Sequence, residues 1–262
     1  MWRRLRVRLS KCLRQLRGKG GRIASLRQPW MQEIAACQRI ITAAQPHPHY
    51  LRAYRDQEVL YWLHIPKWIY AARTSRPVRR CLDIGCAYGT LALFCRRLLG
   101  CEVYCTDVTE RYFTPLLAET HGLVFAENNF ELDDLPWNLS FDMVIFTEVL
   151  EHLNFHPVPT LVKLRNLLAD QGRLYLSTPD AYEWGRITKY YAGMDEMPSP
   201  HPGLAMVDDH VYHYCKSELL AILEAAGLAV ERLDYSPGVA HRHLNLTVVK
   251  KDLLSAGRTG AE

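Results

Sequence analysis

The stretch that most constrains how this chain can fold is Arg79 to Thr90, RRCLDIGCAYGT. Its apolar run (Cys81, Leu82, Ile84) reads as a short buried strand, with the carboxylate of Asp83 near the end. A tight turn follows from Gly85 to Gly89. The next segment, TLALFCRRLLG, carries Leu91, Leu93, Phe94 and Leu98 at helical spacing, which suits a face lying on a sheet. Strand, glycine turn and helix in that order form a unit of an open α/β sheet, whose ligands dock at the carboxyl ends of the strands. A glycine turn lets a ligand approach the backbone closely, and the N–H groups and dipole at the helix start favour an anionic group.

Two kinds of nucleoside ligand compete for such a turn. A dinucleotide fingerprint, G-x-G-x-x-G, sets glycines at fixed offsets around a pyrophosphate. Gly85-Cys86-Ala87-Tyr88-Gly89 has other offsets and no third glycine. The following strand, CEVYCTD, ends in Asp107, an acid placed to accept hydrogen bonds from both ribose hydroxyls. That geometry serves a nicotinamide cofactor as well as an adenosyl donor, so it does not choose between them. With Asp83 just ahead, however, the loop resembles motif I of class I S-adenosylmethionine (SAM) methyltransferases, usually D-x-G-x-G-x-G. Ala87 stands where that motif has its middle glycine, a departure that removes one methyl group's worth of room.

Two further segments carry the resemblance. In GLVFAENNFELDDLPW the strand is LVFA, and the turn Asn128 to Glu131 lies at its carboxyl end. It resembles the family's adenine-side segment, which implies base contacts from Asn129 and Phe130; the alternative is a surface turn with Phe130 in the core. SFDMVIFTEVLEHL (140–153) pairs a continuous apolar run, as for a parallel strand covered on both faces, with the loop Glu148 to Leu153. FDMVI and EVLEHL resemble families related to ubiquinone-pathway O-methyltransferases. The resemblance implies a Rossmann-like doubly wound α/β fold of seven strands, the last antiparallel, in the order 3-2-1-4-5-7-6. It also implies SAM as co-substrate, held by Asp83, Gly85, Cys86, Ala87, Gly89, Asp107, Asn129, Phe130 and Glu148.

The rest of the chain divides accordingly. Residues 1–28 form a basic arm, 29–76 a helical cap, 77–250 the SAM-binding domain and 251–262 a tail. In the cap, WMQEIAACQRIITAA, HPHYLRAYRDQEVLYWLHI and PKWIYAAR read as helical pieces punctuated by Pro46, Pro48 and Pro66. Its dense aromatics belong mostly to the core, and caps of this kind often close the SAM pocket in the family. Downstream, PVPTLVKLRNLLADQG predicts a helix ending at Gly172, RLYLSTP a fifth strand, CKSELLAILEAAG a helix, and HRHLNLTVVKK an alternating last strand. Residues 180–214 form a long irregular insertion with Tyr182, Trp184, Tyr190 and Tyr191; loops of this length in compact domains are usually functional, and this one reads as a substrate lid.

A methyl donor already carries a good leaving group, so the protein must align a nucleophile and remove its proton. Histidine is the usual base near neutral pH. His152 stands beside the expected methyl position, and His210 or His213 can be brought in by the lid. Glu148, Glu151, His152 and His210 also resemble the metal ligands of small-RNA 2′-O-methyltransferases, which implies a divalent cation bound to ribose hydroxyls. The EVLEH string occurs as well in relatives that need no metal, where its second Glu and His serve packing or substrate binding.

Composition narrows the partners. Ten of the 32 basic residues fall in residues 1–32, which hold no acid, leaving 22 basic against 28 acidic residues in the body. An acidic body argues against a nucleic-acid acceptor. The aromatic insertion suits a sugar or aromatic ring of a small molecule or glycan precursor, and the basic arm suits a lipid-linked or membrane-proximal one. In the arm, Trp2, Leu5, Leu9, Cys12, Leu13 and Leu16 share one helical stripe with arginines opposite. That pattern fits a solvated tail, peripheral contact with anionic lipid, or organelle targeting. The eight cysteines form no C-x-x-C pair, which points to a reducing compartment and a cytoplasmic location. No apolar run reaches the roughly 18 residues of a membrane span. The reading from sequence is a SAM-dependent methyltransferase acting on oxygen, less favourably on nitrogen. The alternatives are a metal-assisted RNA 2′-O-methyltransferase, a non-catalytic SAM-binding subunit tethered by its arm and, more distantly, a nicotinamide oxidoreductase.

Overall fold

The structure is a computed structural model that describes residues 28–44 and 48–253. The basic arm up to residue 27, and with it the apolar stripe, lies outside the described residues, as do residues 254–262 of the tail.

Seven strands form one sheet in the order β3-β2-β1-β4-β5-β7-β6: β1 (Arg80–Ile84), β2 (Glu102–Asp107), β3 (Leu123–Glu127), β4 (Phe141–Thr147), β5 (Leu168–Pro179), β6 (Leu228–Ser236) and β7 (His243–Lys250). β7 runs antiparallel to both neighbours and the other pairs are parallel, the topology that the family resemblance implies. The chain reverses its direction of travel across the sheet between β1 and β4. Ile84, Thr106 and Phe146 are in register there, so their strands open a crevice at one level.

Alternation along the strands divides the core in two. Cys81 on β1, Met143 and Ile145 on β4 and Tyr175 on β5 face a layer with Ile34, Ile41, Trp68, Leu93 and Phe94. These come from α1 (Pro29–Ala44), α3 (His64–Ala72) and α4 (Thr90–Leu99). Leu82, Ile84, Val144 and Phe146 face the opposite way, against Leu161 and Leu164 of α6 (Pro157–Leu167) and Leu219 and Ile222 of α8 (Lys216–Ala225). Each such buried side chain contributes roughly 1.5–3 kcal/mol, so the two layers dominate the stability of the fold.

The cap differs in detail from its sequence pattern. Its middle is a π-helical turn (Tyr50–Tyr54) running into α2 (Arg55–Tyr61), and the helix breaks at Trp62, whose backbone leaves helical geometry at φ −122°, ψ 32°. Pro66 sits inside the first turn of α3 rather than before it, where its missing N–H goes unused. The predicted helix ending at Gly172 stops instead at Leu167. Leu168 is already extended (φ −67°, ψ 134°) and pairs with Phe141, and a bulge carries the chain to Arg173 opposite Met143. The alternation of β7 is real, yet both of its faces are buried. The cap covers the polar face: Asn245 donates to Tyr61 O (2.9 Å) and accepts from His64 N (3.1 Å).

The insertion at 180–214 contains a helical turn, α7 (Ala181–Trp184), and a 3-10 turn (Met194–Glu196), and it folds back over the carboxyl ends of β4 and β5. An isolated bridge joins Asp180 to Tyr214, Val211 N donates to Glu151 O (2.7 Å) and Val207 N donates to Asn154 Oδ1 (2.7 Å). Among the described residues no helix is long and apolar enough to cross a membrane.

Candidate active site

The turn after β1 is held by its neighbour. Gly85 N and Cys86 N both donate to Thr106 O, at 2.8 and 3.1 Å. Gly85 (φ 70°) and Gly89 (φ 80°) are left-handed. A Cβ on Gly85 would overlap Val149 Cγ2, and one on Gly89 would sit 2.7 Å from the Phe113 ring, so glycine is required at both positions by space and by conformation. Ala87 is left-handed too (φ 45°), which costs on the order of 1 kcal/mol for a residue with a Cβ. Ala87 N donates to Asp107 Oδ2 at 2.9 Å, so the turn and the end of β2 are one unit.

Charge at this turn differs from the expectation of an anion at the helix start. The anions there are the protein's own. Asp83 is buried at the end of β1, and burial, with Asp107 nearby, pushes its carboxyl up to about 8 against the pull of the Ala92 backbone N–H. Glu58 of α2, also buried, accepts from Thr90 Oγ1 (3.0 Å), Gln38 Nε2 (2.8 Å) and Tyr50 OH (3.3 Å); burial pushes its carboxyl up to about 7 against those bonds. Asp107 is raised as well, by burial, against bonds from Ala87, Thr109 and Val108. The cleft between cap and turn is lined by Tyr54, Glu58 and Trp62 on one side and by Asp83, Gly85, Cys86 and Ala87 on the other. Aromatic and acidic groups without a basic one suit a cationic ligand. A pyrophosphate would find no positive charge here.

Next to Asp107, Asn128 N donates to Asp107 O (2.9 Å), and Asn129 Oδ1 accepts from Glu131 N (3.1 Å). Phe130 is 6% exposed, and its ring lies in the second core layer with Lys163 Nζ 5.0 Å from its centroid. Val108, 65% exposed beside Asp107, is the apolar side chain left open at this edge.

The loop after β4 gathers the polar residues. Glu148 is left-handed (φ 56°), accepts from Ser177 Oγ (2.7 Å), and lies 2.7 Å from Nδ1 of buried His243, off the line of a hydrogen bond. Glu151 is 1% exposed: Oε2 accepts from Thr178 Oγ1 (2.9 Å), while Oε1 has no partner. Burial and the neighbouring Glu148 raise its carboxyl well above the usual range. The lid brings His210 to His152, ring centroids 4.7 Å apart, and ligand atoms of Glu151, His152 and His210 lie within 4.8 Å of one another. Glu148 is not in that group.

Backbone carbonyls fix the imidazole tautomers. Gly185 O, 2.9 Å from His213 Nδ1, can only accept, so neutral His213 carries its proton on Nδ1. Its Nε2 then accepts from His210 Nδ1 at 2.8 Å, leaving His210 Nε2 with a free lone pair. By the same logic Asp209 O, 2.9 Å from His152 Nδ1, leaves His152 Nε2 as an acceptor. Burial and the flanking imidazoles push His210 down to about 4. Trp184 stands among His210, His213, His241 and His243 at centroid distances of 5.3–6.1 Å, and its Nε1 has no partner.

The sequence thus located the turn, Asp107 and the Glu148–His152 loop. It left Glu58 and His243 unassigned because each arrives from a remote segment, and it named Trp184 only as an aromatic of the insertion. The dense aromatics of the cap were the available signal for Tyr54 and Trp62.

A family model described as a methyltransferase domain matches residues 52–233. Among solved structures, the chain is similar to 1,6-didemethyltoxoflavin-N1-methyltransferase of Burkholderia thailandensis with bound 1,6-didemethyltoxoflavin and S-adenosylhomocysteine. The identity is 20% over 84% of this chain and 90% of that one, with a TM-score of 0.56. Magnesium protoporphyrin IX methyltransferase from Synechocystis PCC 6803 with bound SAM gives 17% identity, 82% and 90% coverage and a TM-score of 0.53. N-methyltransferase NodS from Bradyrhizobium japonicum WM9 with S-adenosylhomocysteine gives 15%, 82% and 97%, and 0.51. At these identities the likeness speaks for the fold. A search of curated proteins finds no significant match. The family match runs from the cap through β6 and spans the whole donor turn, and on it the chain belongs to the methyltransferase-domain family, as a class I SAM-dependent methyltransferase.

Proposed function

We propose that the chain methylates a hydroxyl oxygen of a small polar acceptor, a sugar or another hydroxylated ring, held beneath the 180–214 lid. The observation that carries this reading is the convergence of unpaired polar atoms over the Glu148–His152 loop. Glu151 Oε1, Trp184 Nε1 and His243 Nε2 await partners, beside the free lone pairs of His152 and His210. A ligand rich in both donors and acceptors would satisfy them, whereas an apolar ring would leave them buried and unpaired.

In this reading Asp107 takes the ribose hydroxyls, the turn Gly85–Gly89 takes the amino-acid portion of SAM, and the Asn129–Phe130 turn approaches adenine through its backbone. The acceptor oxygen attacks the methyl carbon in line and the C–S bond breaks, with its electron pair going to sulfur. His152 Nε2 receives the hydroxyl proton, and His210 orients the acceptor. A labelled-methyl acceptor screen across hydroxylated sugars, phenols and amines tests it. Methylation of amines alone would overturn the oxygen assignment, and SAM binding without turnover on any class would favour a tethered, non-catalytic subunit. The basic arm is proposed to hold the protein at an anionic membrane surface from the cytoplasmic side. Unchanged vesicle pelleting after deletion of residues 1–22 would remove that part.

The Glu151, His152 and His210 group favours a second reading, in which a divalent cation assists. Glu148, engaged by Ser177 and His243, leaves two imidazoles and one carboxylate, a set that suits Mn²⁺, Fe²⁺ or Zn²⁺ better than Mg²⁺. The orphaned Glu151 Oε1 fits such a ligand role. A bound metal would lower the pKa of an acceptor hydroxyl. Activity lost in chelator and restored by Mn²⁺ supports this route, and indifference to chelator removes it.

A further inference from the structure

The cap brings one carboxylate into the donor cleft that no part of the turn requires. Glu58 lies on α2, is 3% exposed, and lines the cleft with Tyr54 and Trp62 opposite Asp83 and Gly85. Its two oxygens are used unequally. Oε1 accepts three bonds, from Gln38, Tyr50 and Thr90. Oε2 accepts none, yet it is not among the buried unpartnered atoms, so it is open to the cleft. Among the described residues no Lys, Arg or His forms an ion pair with Glu58, and no basic side chain lines the cleft. A buried carboxylate held in place by three donors, with its second oxygen directed into a ligand cleft and no cation beside it, is costly unless the ligand supplies that cation.

Asp83 faces the same cleft from the sheet side, where the nearby Ala92 backbone N–H already favours its charged form without a ligand. SAM carries two positive charges, the sulfonium and the α-ammonium, and the ammonium is the one that donates hydrogen bonds. The Oε1 contact to Thr90 places Glu58 at the first residue of α4, beside the turn where the amino-acid portion of the donor would lie.

We propose that Glu58 is the receptor for the donor's α-ammonium, so that the helical cap, and not only the sheet, reads the amino-acid end of SAM. This rests on the donor assignment to the Gly85–Gly89 turn. It also gives the cap a discriminating role: nucleosides without an amino acid, such as methylthioadenosine, fit the ribose end equally well but leave the Glu58 charge unanswered.

The test uses the full chain and three ligands: S-adenosylhomocysteine, its analogue with hydrogen in place of the α-amino group, and methylthioadenosine. In wild type, calorimetry is expected to show S-adenosylhomocysteine binding at least about 10-fold tighter than the deaminated analogue. In Glu58→Gln that ratio should fall to within about 2-fold of unity, with the affinity for methylthioadenosine unchanged. If Glu58→Gln does not fold, judged by its melting curve, Glu58→Asp keeps the charge on a shorter stem and should give an intermediate ratio. Equal loss of all three ligands in either variant would mean that Glu58 only holds the cap in place, and an unchanged ratio would mean that the ammonium binds elsewhere. Both outcomes overturn the proposal and leave the donor assignment standing. A wild-type protein that binds none of the three would defeat both.

Discussion

The donor half and the acceptor half of the cleft are built differently. The donor half comes mainly from one continuous turn and the adjacent strand end, and its backbone groups are already paired: Gly85 and Cys86 to Thr106, Ala87 and Asn128 to Asp107. The acceptor half is assembled from the loop at 148–152, the end of β5, Trp184, the lid around His210 and His213, and the start of β7. There Glu151 Oε1, Trp184 Nε1 and His243 Nε2 remain unpaired. A closed hydrogen-bond inventory describes a site formed before its ligand arrives, and an open one describes a site that its ligand completes. A shared co-substrate asks for the first and an individual acceptor for the second.

Substitutions separate the two halves by what they leave intact. The largest expected effect is His152→Ala, which should lower turnover about 10²–10⁴-fold with donor affinity within about 2-fold of wild type, read by single-turnover methyl transfer and calorimetry. Gly85→Ala should do the reverse. With its Cβ overlapping Val149 in a left-handed backbone, it should weaken S-adenosylhomocysteine about 100-fold or more and lower the melting temperature. Asp107→Ala, which removes the proposed ribose acceptor, should weaken the same ligand about 10-fold and also lower the melting temperature, because Ala87 N loses its partner.

A pH series reads the buried carboxylates of both halves, Glu58 and Asp83 on the donor side and Glu151 on the acceptor side. Glu58 and Asp83 are raised by burial to about 7 and about 8. Between the unfolded value near 4 and these values the folded chain binds more protons than the unfolded one. Stability is therefore full below about pH 4 and declines as pH rises through 7 to 8, by on the order of 3 kcal/mol for Glu58 alone. Melting curves at about pH 5.5 and 8.5 should show the fall, and saturating SAM should narrow it. The smallest effect is Ala87→Gly, which relaxes a left-handed residue and should raise stability by at most about 1 kcal/mol without changing acceptor turnover.

The same contrast explains what could be read from the sequence. Strand, turn and helix at Arg79–Leu99 are local, so periodicity and glycine spacing reported them, and the resemblance supplied the strand order that local pattern cannot. Asp107 and Glu148 were visible because each ends an apolar run. Glu58 was not visible: an acid within a helix with mixed faces looks solvated until α1 and α4 close around it. His243 looked like one of the outward positions of an alternating last strand, but the cap covers that face of β7, and both of its faces are buried. The helix predicted to Gly172 ran too long because LLADQG continues a helical pattern, while the pairing of Leu168 with Phe141 is a tertiary gain that local propensity does not contain.

The clasp between cap and β7 has a consequence for how the molecule is made. His64 N bonds Asn245, Tyr61 O accepts from Asn245, and Leu60 O accepts from Gly238 N, so the cap helices are moored to a segment synthesised well over a hundred residues after them (the partners of the first bond are 181 residues apart). During translation the β1 turn can form long before its roof can close. A nascent chain lacking β7 would hold the cap unanchored, and the methyl donor would have no finished chamber to enter until β7 had left the ribosome.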